Sequence, residues 1–162
     1  MLRSTLGRLL TRLGPIIVLF VFLLYTPLLP TRAVAPACFP GSVMNQADLN
    51  AAIVCYNSLV APGTYDINIG ANILLTASTT PINNATAGVS LVINGANFAV
   101  DGQSLSGVRV FNIATSTTVE MKSLIVRNGS ITAANGAGIL NEGTLTLTVG
   151  DDHRELRAAL AD

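Results

Sequence analysis

The chain has 162 residues, with nine Lys and Arg against nine Asp and Glu, so its formal net charge is zero. Half of it is hydrophobic, 11% is charged, aromatics make up 5%, and Trp is absent. A soluble domain is ordinarily about one-quarter charged, so this composition excludes an acidic disordered tail, a basic nucleic-acid binder and a helical coiled coil. The zero is a sum of unlike parts. Residues 1–37 hold Arg3, Arg8, Arg12 and Arg32 and no acid. Asp151, Asp152, Arg154, Glu155, Arg157 and Asp162 crowd the last residues, and 38–150 keep only Asp48, Asp66, Asp101, Arg109, Glu120, Lys122, Arg127 and Glu142. The solubility of that middle stretch must come from Asn, Thr, Ser and exposed backbone.

The N-terminus has the order expected of an export signal: a positive stretch, an apolar run and small residues. Arg3, Arg8 and Arg12 precede the run Ile16–Leu29, and Ala33-Val34-Ala35 and Ala35-Pro36-Ala37 follow as cleavage patterns. The run falls short of the roughly 20 residues that span a bilayer, and Pro27 breaks it. Proline just after the first pattern hinders cleavage there, which favours a cut after Ala37. The other readings are an uncleaved membrane anchor and a lipoprotein with Cys38 as acceptor; Ala35-Pro36-Ala37-Cys38 lacks the usual Leu for the latter. In an oxidising compartment the two cysteines, Cys38 and Cys55, are candidates for a disulfide, worth about 3 kcal/mol in the chain-entropy picture. The alternative is two independent thiols, with Cys55 buried on a helix face.

Residues 38–62 read as an N-terminal capping segment. The helical stretch is 45–57, with Asn45 as N-cap and Leu49, Ile53 and Tyr56 on one face. Pro62-Gly63 ends it. Residues 63–149 then read as short strands punctuated by Gly and Asn: 65–69, 73–76, 90–93, 98–100, 108–113, 118–121, 124–126, 138–140 and 144–149. Gly70-Ala71-Asn72-Ile73 returns as Gly95-Ala96-Asn97-Phe98, a shift of 25, and apolar strand starts continue at Val119 and Leu145. A period in this range points to a solenoid whose coils share a core only with their neighbours. Asn72, Asn94, Asn97, Asn112, Asn128 and Asn141 suit its turns. The expected fold is all-β, a right-handed parallel β-helix of about four coils with a capping helix. An antiparallel sandwich is the alternative.

Residues 111–129 (FNIATSTTVEMKSLIVRNG) and 136–148 (GAGILNEGTLTLT) resemble the coils of right-handed parallel β-helix repeat proteins of the pectin-lyase-like superfamily. They are most similar to large bacterial secreted or surface proteins, including polymorphic outer-membrane-protein-like ones. The resemblance covers about 45–149 and implies an N-terminal helix that caps the first coil. It departs at Val149, where a polar turn and another strand would be usual. Residues 150–162 are instead charged, with Leu156, Ala159 and Leu160 on one side of a short helix. That tail reads either as a C-terminal cap or as the mark of a truncated or frame-shifted product, the reading favoured here. An uncovered last coil would expose strand edges and self-associate.

Chemistry on this fold, as the resemblance implies it, uses clustered carboxylates with calcium and a basic residue, or several neighbouring Asp. Only Asp66, Asp101, Glu120 and Glu142 are available in the coils, each isolated in sequence. Glu120 and Glu142 are expected near corresponding places one coil apart. Solvated surface carboxylates are the simpler reading, and so is a solvated helix start for Asp151-Asp152-His153. Arg109, Lys122 and Arg127 are too scattered for a nucleic-acid footprint, and the Gly residues lack the Lys-Ser/Thr of a phosphate loop. The expectation is therefore an exported, secreted or cell-surface, non-enzymatic adhesin-like protein or fragment with no cofactor and no metal. It would bind polysaccharide or another surface ligand through its coil faces, self-associate through an open coil end, and touch a membrane only through an uncleaved signal. The alternative is a fragment of a pectate-lyase-like lyase or hydrolase.

Overall fold

The computed structural model describes residues 41–132 and 134–149. The signal segment 1–37, Cys38 and the tail 150–162 lie outside the described residues. Among the described residues one helix, α1 (Gln46–Asn57), precedes nine strands: β1 (Gly63–Asn68), β2 (Ile73–Leu74), β3 (Val89–Asn94), β4 (Ala99–Asp101), β5 (Phe111–Ile113), β6 (Thr118–Lys122), β7 (Ile125–Arg127), β8 (Ile139–Asn141) and β9 (Thr144–Thr148).

Every pairing between strands is parallel and joins a strand to its counterpart one coil later. The sheets run β1-β3-β6-β9, β2-β4-β7 and β5-β8. Single bridges extend them at Val43–Ile69 and Ile82–Ile113. The result is a parallel β-solenoid of about three turns, one fewer than the four coils expected. In the first sheet the steps are 26, 28 and 26 residues, from Tyr65 to Leu91, Val119 and Leu145.

This register corrects the repeat read from the sequence. Ile73 pairs with Val100, not with Phe98, and Val119 pairs with Leu91. The 21-residue step from Phe98 to Val119 therefore joined two different sheets. The physical reason lies in the corner after β3. Between paired positions the first coil places 69–72 and the second 95–99, one residue more. Ala96 and Asn97 take up the extra residue with left-handed φ of 48° and 66°.

Alternation puts the apolar residues of each strand inside. The rows Tyr65-Leu91-Val119 and Ile67-Ile93-Met121 are buried, as are Ile73 and Val100 in the second sheet and Phe111 and Ile113 in the third. Each buried Ile, Leu or Phe contributes about 1.5–3 kcal/mol relative to exposure. Gly95 stands at a corner where coils touch: a Cβ there would land on Leu124 Cα and Ser123 O. Gly143 meets Ala114 O and Thr117 O in the same way.

The helix forms where the sequence placed it. Asn45 is the N-cap, and its Oδ1 accepts from Asp48 N at 3.0 Å. The Asp48 carboxylate accepts in return from Asn45 Nδ2 at 2.9 Å, satisfying the helix start. Leu49, Ala52, Ile53 and Tyr56 turn one face into the core. Polar side chains along its flanks fasten it to the first coil: Asn50 Oδ1 accepts from Thr80 N at 2.9 Å, Asn57 Nδ2 donates to Pro81 O at 2.8 Å, and Gln46 Oε1 accepts from Thr76 N at 2.8 Å. Asn84 Nδ2 closes the C-terminus by donating to Tyr56 O and Leu59 O at 2.7 and 2.9 Å.

Candidate functional site

The residues that alternate with the core rows form the outer face of the sheet β1-β3-β6-β9. Its rows are Asp66-Val92-Glu120-Thr146 and Asn68-Asn94-Lys122-Thr148, flanked by Thr64-Ser90 and Thr118-Thr144. Strands stand about 4.8 Å apart and like-facing residues along a strand about 6.7 Å apart, so the face is a regular array in which Thr, Ser and Asn side chains surround the charged Asp66, Glu120 and Lys122 and a buried Val92. Rungs tie neighbouring coils. Thr64 Oγ1 and Ser90 Oγ share a hydrogen bond of 2.9 Å. Asn94 Nδ2 donates to Asn68 Oδ1 at 2.9 Å. Thr148 Oγ1 donates to Glu120 Oε1 at 2.9 Å, and Lys122 Nζ sits 3.3 Å from Glu120 Oε2. These bonds fix rotamers that would otherwise be lost on binding, so the face is preorganised.

Glu120 and Glu142 do not share a row. Glu120 pairs with Thr146, whereas Glu142 lies in the turn between β8 and β9, where its amide donates to Ile113 O at 2.9 Å. The reason is again register: Glu142 precedes Thr144, which pairs with Thr118. Nor is Asn112 at a turn. It sits within β5, and its Oδ1 is buried without a hydrogen-bond partner among the described residues. Tyr56 Oη and Thr117 Oγ1 are the other such atoms, and burial pushes the Tyr56 phenol up to about 12.

Asp101, read from the sequence as a solvated carboxylate, is the most enclosed acid of the coils. Its side chain is 9% exposed. Oδ2 accepts from Arg127 Nε at 2.8 Å. Oδ1 accepts from Gln103 N at 2.7 Å and Asn128 Nδ2 at 3.0 Å. Burial pushes the carboxyl upward, but the Asn128, Gln103 and Arg127 interactions outweigh it, so the pKa lies below the ordinary 3.8. Asp101 and Arg127 are partners one coil apart, a pairing that no local feature of the sequence marks. With its oxygens committed to its neighbours, Asp101 staples two coils. Arg109 does similar work: Nε donates to Gly136 O at 3.0 Å and Nη2 to Asn135 O at 3.1 Å.

Cys55 is buried on α1, and its proposed partner, Cys38, lies outside the described residues, as do Asp151, Asp152 and His153. Among the described residues no group of three or more His, Cys, Asp or Glu is placed to hold a metal ion, and no helix is long and apolar enough to cross a membrane. Comparison with protein-family models, curated proteins and solved structures finds no match.

Proposed function

We propose that this chain is an exported, non-enzymatic, adhesin-like surface protein or part of one, and that it binds polysaccharide through the outer face of its first sheet. It is read as a member of the pectin-lyase-like superfamily, akin to polymorphic outer-membrane-protein-like repeat proteins. The observation that carries the reading is the array of Thr, Ser and Asn side chains held in register by Thr64–Ser90, Asn94–Asn68 and Thr148–Glu120 bonds. A regular, fixed array of donors and acceptors suits a repeating, hydroxyl-rich polymer: many weak bonds form at once with little side-chain ordering. Residues 1–37 carry the export part of the reading, and a Cys38–Cys55 bridge would tie the start of the mature chain to α1.

The test is binding of the full chain to a panel of neutral and acidic polysaccharides, beside a variant carrying Asn68→Ala, Asn94→Ala and Thr148→Ala. The expected result is measurable binding that falls at least tenfold in the variant while its circular dichroism is unchanged. Absence of binding across the panel, or equal binding by the variant, refutes it. Appearance of unsaturated or reducing sugar ends in the same assay would instead support the lyase or hydrolase alternative.

A further inference from the structure

We propose that this chain modifies itself at Asn135: the backbone nitrogen of Gly136 displaces the side-chain amide, Arg109 assists, and aspartate and isoaspartate result. Asn is followed by Gly three times, at 94–95, 128–129 and 135–136. Glycine puts no side chain in the way of the ring that must close, so each pair is a candidate. The coils disarm the first two. Asn94 Nδ2 donates to Asn68 Oδ1 at 2.9 Å, and the Gly95 N–H is spent on Lys122 O at 2.7 Å. Asn128 Nδ2 donates to Asp101 Oδ1 at 3.0 Å, and that carboxylate opposes the anion the reaction forms. Asn135 differs. It is exposed, and among the described residues neither its side-chain amide nor the Gly136 N–H makes a hydrogen bond. The fold also keeps glycine next to it: Gly136 has φ 74°, and a Cβ there would lie 2.8 Å from Ile139 O and Leu140 Cα.

Arg109 supplies the assistance. Its Nη2 donates to Asn135 O at 3.1 Å, and that carbonyl belongs to the same peptide group as the attacking Gly136 nitrogen. Its Nε donates to Gly136 O at 3.0 Å and fixes the guanidinium there. Among the described residues no carboxylate pairs with Arg109. In the reaction, hydroxide takes the Gly136 N–H proton, and the charge left behind is shared between that nitrogen and Asn135 O. A charged donor already placed on the oxygen strengthens its bond as the charge grows. The nitrogen then attacks Asn135 Cγ, the Cγ–Nδ2 bond breaks, and ammonia leaves with a proton from water. Water opens the resulting succinimide at either carbonyl. Opening at one gives aspartate. Opening at the other gives isoaspartate, which lengthens the main chain by one carbon just before Ala137 and Gly138, whose carbonyls accept from Val110 N and Phe111 N.

The test incubates the full chain at neutral pH and follows all three pairs by peptide mapping and mass spectrometry after digestion in mild acid. The mass gain of an amide-to-acid exchange is expected at Asn135, with Asn94 and Asn128 unchanged. In denaturant the three pairs should react alike, since there the fold no longer selects. Arg109→Gln should slow the change at Asn135 about fivefold or more, roughly what one net hydrogen bond is worth, and Arg109→Lys should recover part of the rate. Losing the Arg109 bonds also loosens the corner, which by itself speeds ring closure, so slowing cannot come from damage to the fold. Reaction at Asn135 no faster than at Asn94 and Asn128 overturns the proposal. So does the same preference for Asn135 in the denatured chain, or an Arg109→Gln variant that reacts as fast as the native chain or faster.

Discussion

Asp101 carries more of the fold than its place in the sequence suggests. It accepts three hydrogen bonds, two of them from the following coil. Arg127 is half-exposed, so its ion pair adds little, and the Asn128 and Gln103 bonds carry most of the effect. Asp101→Asn is expected to cost about 2 kcal/mol at neutral pH, measured by denaturant unfolding. The pH dependence has a definite sign. The folded pKa lies below 3.8, so the stabilisation is present above about pH 4 and is lost as pH falls through the folded value. Asp101→Asn should flatten that acid limb, and an unchanged limb would contradict the assignment. Tyr56 makes the opposite case. Its hydroxyl is buried with no hydrogen-bond partner among the described residues, so Tyr56→Phe is expected to leave stability unchanged or raise it by about 1 kcal/mol. A loss above that size would reveal a partner for the hydroxyl.

At the scale of elements, strands are set by alternation and corners by close approach. Gly95→Ala places a methyl group on the backbone of the next coil. The expected cost is about 3 kcal/mol or more, seen as a lowered Tm, with the same substitution at Gly41, where nothing lies within 4 Å, as the mild control. What was legible in the sequence follows the same division. The strand at 144–149 and the helix with its Asn45 cap were readable because alternation, 3.6-residue spacing and capping are local. Asn112 was misplaced because asparagine signals a turn only by propensity, and here the pairing of β5 with β8 overrides it. The Asp101–Arg127 staple was invisible until the register was known, because a one-residue difference at the 95–99 corner decides which residues become neighbours. Binding through the coil faces was expected, but which face was not legible for the same reason: each strand shows only its own Thr or Asn, and the array exists only across coils.

For the whole molecule, each coil rests on its neighbours, and stability is a sum of interfaces from α1 towards β9. Val43 bridges at the first rung and Val149 follows the last. Every ladder hydrogen bond between them runs along the solenoid axis, since each strand pairs with its counterpart one coil on. Tension between these two points therefore pulls along the bonds and opens them one rung at a time; it does not slide strands past one another. The coils act in series, and each opening frees the 26 to 28 residues of one step in the first sheet, roughly 90 Å of extended chain. Held at one end and loaded at the other, such a molecule lengthens in steps, as a tether that absorbs a pull before it parts.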